Sequence, residues 1–137
     1  MSPFFLDRFF SFIADKIYPV QHGFVKGRST ITQLLDTVHQ MVRIIDLGEQ
    51  TDVAFLDFSK AFDSVSHAHL IRKLDQSGIK GQLLHWFISY LGNRLQRVVI
   101  DGKSSDWLPV ISEVPRGSLL GRALFVLFIN DVPSALS

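Results

Sequence analysis

Apolar residues recur at Phe5, Phe9, Ile13 and Ile17, with Leu6, Phe10 and Phe12 beside them, a pattern that predicts an amphipathic helix stopped by Pro19. Its phenylalanines need a partner surface. After a turn at Gln21-His22-Gly23, the loop Phe24 to Arg28 leads to Ser29 or Thr30, either of which caps a second helix. Ile31, Leu34, Leu35, Val38, Met41, Val42 and Ile45 trace the stripe this helix is expected to bury, and Gly48 suits its end. Val53-Ala54-Phe55-Leu56 is a short continuous apolar run that predicts a strand buried on both faces and ending at Asp57. Ser66 caps a helix to about Gln76, closed by Gly78, and Leu83, Leu84, Phe87, Ile88 and Leu91 predict another that ends at Gly92-Asn93. Arg97 to Ile100 and Trp107 to Val110 flank Asp101-Gly102, a strong turn dipeptide, and predict a β-hairpin whose loop extends through Ser105 and whose Pro109 favours an edge.

Beyond a loop at Glu113 to Gly117, Ser118 starts a helix through about Asn130 that is apolar nearly all round. Such a helix must be covered on every side. Little follows it in the chain, so if the elements already named cover only one side, the other is expected to stay bare as an exposed apolar patch, as if the chain were cut off at its C-terminus. Self-association through this helix would follow.

Composition narrows the classes. The 137 residues and 15.5 kDa amount to one domain or part of a larger one, and 47% hydrophobic against 20% charged residues, with a mean hydropathy of +0.22, argue for a folded core. Lys plus Arg number 14 and Asp plus Glu 13, so the net charge of +1 offers no broad basic field, and any nucleic-acid contact must come from a local patch. The chain has no cysteine, which excludes disulfides and thiolate metal sites. Its N-terminal run is broken by Asp7 and Arg8 and its longest apolar run, Ala123 to Ile129, is far short of a membrane span. An intracellular protein without a membrane partner is the expectation.

The segment Val53 to Asp63 is the most informative chemically, because a hydrophobic strand that delivers one rigid carboxylate to its end is a common way to hold Mg²⁺. Asp57 and Asp63 fit capping of a turn or helix equally well. His67 and His69, two apart, point to different faces and make a poor zinc pair.

Four blocks then stand in order. They are Gln21-His22-Gly23-Phe24-Val25-Lys26-Gly27-Arg28-Ser29-Thr30, Asp57-Phe58-Ser59-Lys60-Ala61-Phe62-Asp63, Val114-Pro115-Arg116-Gly117-Ser118-Leu119-Leu120-Gly121, and Phe128-Ile129-Asn130-Asp131. Together they resemble successive blocks of a reverse transcriptase of the non-LTR (LINE-like) retrotransposons, over nearly the whole chain from about Phe5. The resemblance implies an α/β (α+β) fragment of a right-hand polymerase palm, with residues from about 1–50 as a preceding helical segment and from about 51–137 as a partial palm. It implies RNA-directed DNA polymerisation, in which a primer 3′-hydroxyl attacks a deoxynucleoside triphosphate with two Mg²⁺ ions. On it, Asp57 is the first metal-binding carboxylate and the carbonyl of Phe58 a further ligand. Phe62 is the aromatic gate beneath the incoming sugar. Arg116 and Gly117 belong to the loop against the nascent base pair, and Lys26 and Arg28 contact phosphates of the RNA template or DNA primer.

The chain also departs from the family. Glu113, Arg116 and Arg122 replace the Gly, Gln and Pro of the usual third block, and Val25 replaces a basic residue. The family's paired aspartates do not appear before Ser137, which leaves Asp57 as the lone carboxylate of that set. The expected consequence is a chain inactive alone, unless another chain complements it. The alternatives are a non-enzymatic nucleic-acid-binding or protein-interaction module, or a product that aggregates through its last helix.

Overall fold

The computed structural model describes residues 3–115 and 117–136. The architecture mixes helices with a few short antiparallel strands, consistent with part of a polymerase palm. Helix α1 (Pro3–Ala14) sinks Phe9 and Ile13 into the core, and α3 (His67–Gln76) adds Leu70 and Leu74. Helix α4 (Gly81–Leu91) contributes Phe87 and Leu91, and α5 (Leu119–Ile129) lies in the middle against α3 and α1. Each such side chain, fully withdrawn from water, contributes roughly 1.5–3 kcal/mol. A short α6 (Val132–Leu136) follows, unforeseen in the sequence pattern. Among the described residues no helix is long and apolar enough to cross a membrane.

The apolar character of α5 is answered within the chain. Leu120, Gly121 and Ala123 through Leu127 are all buried, and Leu119, at 55% exposure, is the large apolar residue left open at its start. The bare patch expected along this helix is therefore absent. α1 and α3 cover the helix from two directions, and the aromatic rings of two loops close over Phe125.

The uncovered surface lies elsewhere. Helix α2 (Thr30–Asp46) forms as its pattern predicts, capped by Ser29, whose hydroxyl accepts from Thr32 N–H while the Thr32 hydroxyl accepts from Ser29 N–H. It ends at Leu47 and Gly48, the latter with φ +73°, the conformation glycine adopts most easily after a helix. The stripe expected to be buried is not: α2 has no buried residue, and Ile31 is 67% exposed. Periodicity marks which face is apolar, but among the described residues nothing buries that face.

The same reasoning corrects the strand expected at Val53–Leu56. This segment has no strand structure, Phe55 is 91% exposed, and among the described residues nothing hydrogen-bonds to its backbone. An apolar run becomes a central strand only when neighbours satisfy both edges.

The hairpin forms, but more tightly than expected. β2 (Val99–Ile100) pairs with β3 (Lys103–Ser104) directly across Asp101-Gly102, both at positive φ as in a primed two-residue turn. The loop therefore does not run through Ser105. Instead Ser105 N–H donates to Val98 O and its hydroxyl accepts from Val98 N–H, and this offset leads to a second rung of β1 (Leu95–Gln96) with β4 (Leu108–Pro109). Each strand of such a ribbon has an open edge, which is where Pro109 is tolerated.

Helix α1 stops at Ala14, short of Pro19, because the chain beyond it is captured by the far end of α5. The Asn130 carboxamide accepts from Tyr18 N–H at 2.7 Å and donates to Lys16 O at 2.7 Å. Beside it, Lys73 donates to the carboxylate of Asp131 and to Phe128 O, tying α3 to the end of α5. The hydrogen bond and charge of Lys73 hold the Asp131 carboxyl below its ordinary value. A depressed carboxyl contributes stability above its unfolded pKa and loses it as pH falls through the folded one. The Asp131 side chain is 70% exposed, so the pair is worth no more than about 1 kcal/mol. Asp131→Asn is thus expected to be less stable than the unsubstituted chain in urea at pH 6, with the gap closing below about pH 4, near the unfolded carboxyl value. A gap that stays constant down to pH 3 would show that the ion pair is not its source.

Candidate functional site

Separate loops meet over α5. Phe62 stacks on Phe125 at 4.5 Å between ring centroids, Phe24 meets Phe62 edge-on at 5.9 Å, and Phe24 stands 6.5 Å from Phe125, also edge-on. Each such pair adds about 0.5–1.5 kcal/mol beyond burial. Val114 N–H donates to Phe62 O at 3.2 Å, Glu113 N–H to Val65 O at 2.9 Å, and His67 N–H to Ile111 O. The loop after the hairpin therefore runs alongside the turn that carries Phe62. Phe24, Phe62, Val114 and Phe125 come from different parts of the chain, and one aromatic floor joins them.

The turn itself is built from Lys60, at φ +50°, whose carbonyl accepts from Asp63 N–H at 2.9 Å and Ser64 N–H at 3.0 Å. Phe62 is half-buried on this turn. Asp57 and Phe58 precede it on the exposed segment, where neither is held by a hydrogen bond or ion pair among the described residues. Among those residues no three histidine, aspartate or glutamate side chains converge where they could share a metal ion. His67 is instead a buried side chain whose Nε2 hydrogen-bonds to Glu113 O at 2.8 Å.

Loop 113–118 is closed from below. The Ser118 hydroxyl donates to Pro115 O and accepts from Gly121 N–H at 2.9 Å, so the cap of α5 also fixes the loop. Gly117 has φ +77° and open space around the position a Cβ would take, so backbone conformation requires glycine there. Arg116 lies outside the described residues. Two departures from the family pattern have local partners. The Glu113 carboxylate is 3.8 Å from the guanidinium of Arg94, and Arg122 lies 5.9 Å over the ring of Phe24. Glu113 has φ +91°, which favours the glycine it replaces.

The first loop presents its cations differently. Arg28 Nη1 donates to Pro19 O and, at 2.7 Å, to Gln21 O, which folds the guanidinium back onto the loop's own start. Lys26 is exposed beside Gly27, at φ +80°, and has no ion pair among the described residues. It borders a cavity of about 210 Å³ between the loop and α1, whose lining also includes Asp7.

The sequence named Gly121 and Asn130 only as members of the blocks and did not reveal their contacts or that of Phe24 with Phe125. A carboxamide at a helix end, able to donate and accept at once, was the available signal for Asn130. Its partners lie over a hundred residues away, where local pattern is silent.

The profile of the reverse transcriptase (RNA-dependent DNA polymerase) family matches residues 5–137. The chain is 34% identical over 114 residues to the RNA-directed DNA polymerase from mobile element jockey of Drosophila melanogaster, covering 83% of this chain and 12% of that protein. It is 34% identical over 113 residues to the probable RNA-directed DNA polymerase from transposon X-element of the same fly, covering 82% and 12%. Identity to the Pol polyprotein from type-1 retrotransposable element R2 of Popillia japonica is 26% over 90 residues, covering 66% and 15%. No solved structure matches it. The chain spans about an eighth of the jockey and X-element proteins. Since the family profile covers nearly every residue and relatives 34% identical cover more than four fifths of it, the chain belongs to the reverse transcriptases, as a segment of the non-LTR retrotransposon type.

Proposed function

We propose that this segment forms one side of an RNA-directed DNA polymerase centre and does not synthesise DNA by itself. The observation that supports the reading is the junction of Phe24, Phe62, Val114 and Phe125, where the loop that carries Lys26 and Arg28, the turn after Asp57 and the segment that begins at Val114 come together. In a longer polymerase, Asp57 and the Phe58 carbonyl are ligands to a divalent metal, and Phe62 lies beneath the incoming deoxynucleoside triphosphate, where its ring leaves no room for a 2′-hydroxyl. Arg116 and Gly117 face the nascent base pair, and the first loop faces the RNA template and DNA primer.

Reverse transcriptases generally use a divalent metal, and bound Mg²⁺ stabilises charge on the attacking and leaving oxygens. One carboxylate and one carbonyl fit a share of such a site. They do not fit the whole, because two close cations repel strongly unless several acidic oxygens surround them. What this segment does by itself is hold Phe62 against Phe125, exclude water beneath it and fix the two flanking loops.

Primer extension with the purified chain, an RNA template, a DNA primer, deoxynucleoside triphosphates and Mg²⁺ is expected to yield no product. Product that forms and then vanishes in Asp57→Asn would overturn the reading of an inactive segment. The exposed apolar faces of α2 and the hairpin favour a second reading, a protein-interaction module. A soluble, folded monomer that ignores primer-template would support that second reading.

A further inference from the structure

We infer that Lys26 is the phosphate contact of the 19–28 loop, and that Arg28 and Asn130 are positioning residues that hold the loop so that Lys26 stands out from it. The inference rests on the nucleic-acid reading above and divides the work between two cations that the sequence pattern treats alike.

The loop is pinned at successive points. Asn130 holds Lys16 O and Tyr18 N–H, which fixes where the chain leaves α1. Arg28 reaches back to Pro19 O and Gln21 O, so the loop's end clasps its beginning. His22 Nδ1 hydrogen-bonds to the Thr32 hydroxyl at 2.9 Å, and that hydroxyl also serves the Ser29 cap, so the loop is registered on α2. Phe24, at φ +60°, is seated on the aromatic floor. Between these anchors, two turns, Val25 N–H to His22 O and Arg28 N–H to Val25 O, bring Lys26 to the exposed tip.

Chemistry separates the two cations. A guanidinium whose Nη1 already serves two carbonyls has surrendered part of the fork that makes arginine a good phosphate ligand, and turning it outward would release the loop. An ammonium on a flexible stem at the tip, with no partner among the described residues, gives up nothing when a phosphate arrives. Releasing counterions is the signature of a direct phosphate contact, and a positioning residue lacks it.

The test titrates the 137-residue chain against an RNA–DNA primer-template over a range of salt concentrations. Lys26→Gln is expected to reduce the slope of log K against log salt by about 0.7–0.9, the loss of one phosphate contact. Arg28→Gln and Asn130→Ala are expected to weaken binding several-fold at every salt concentration with the slope unchanged. In the free protein, both are also expected to speed amide hydrogen exchange across 20–28 about tenfold, with Lys26→Gln leaving it alone. Asn130→Asp, which keeps the acceptor for Tyr18 N–H, serves if the alanine variant fails to fold.

A slope lost in Arg28→Gln as in Lys26→Gln would overturn the division. So would exchange that changes at Tyr18 alone and not in the loop. If the unsubstituted chain shows no salt-dependent binding, the nucleic-acid reading and the role of Lys26 fall together. Loop exchange then decides the roles of Arg28 and Asn130 on its own.

Discussion

Gly121→Ala is expected to destabilise the chain by about 3 kcal/mol, at the upper end of what one inserted methyl costs in a tight site. An alanine Cβ at this position would come 2.2 Å from Pro115 O and 2.9 Å from the Ser118 hydroxyl, both far inside contact distance. In an open helix the same change is favourable by about 1 kcal/mol, since alanine is the better helix former. Here sterics decide the sign, because the nearest atom is a backbone oxygen. Ser118 bonds that oxygen, and the neighbouring Val114 is fully buried, so the loop has little room to retreat. Urea titration followed by circular dichroism measures the loss. A neutral or stabilised Gly121→Ala would mean that loop 113–118 is not seated on α5.

Phe125→Ala is expected to remove about 3–5 kcal/mol, the usual range for deleting a buried phenylalanine. The ring is 7% exposed and supports Phe62 face-on and Phe24 edge-on. Its removal therefore opens a cavity under both rings and unseats the two loops that carry them. Phe125→Leu fills much of that volume and is expected to lose less than half as much in the same denaturation measurement. The aromatic floor would not be the junction of these loops if the alanine variant lost no more than the leucine variant.

Elements whose signals lie within a few residues were legible in the chain. Ser29, Ser66 and Ser118 each cap the helix that follows through their own hydroxyl, and Gly48, Gly78 and Gly92 stand just beyond helix ends. The blocks that resembled a reverse transcriptase were legible for the same reason, being short strings in order. What depends on a distant partner was not. The run at Val53–Leu56 has strand composition, but its state is set by whether other strands flank it, and the burial of α2 is set by what packs against it. Asn130 and Asp131 are adjacent, yet one holds the exit from α1 and the other receives Lys73 from α3. Nothing local distinguishes those errands.

Helix α2 has a consequence for how the chain behaves in solution. A 17-residue helix that anchors no side chain in the core gains almost nothing from the core's cooperativity and depends on its caps and intrinsic propensity, which are marginal for that length in water. Heating should therefore strip away part of the helical ellipticity on a shallow slope before the interior gives way. A single melting temperature fitted to that signal would average two unrelated events and understate the resilience of the aromatic interior.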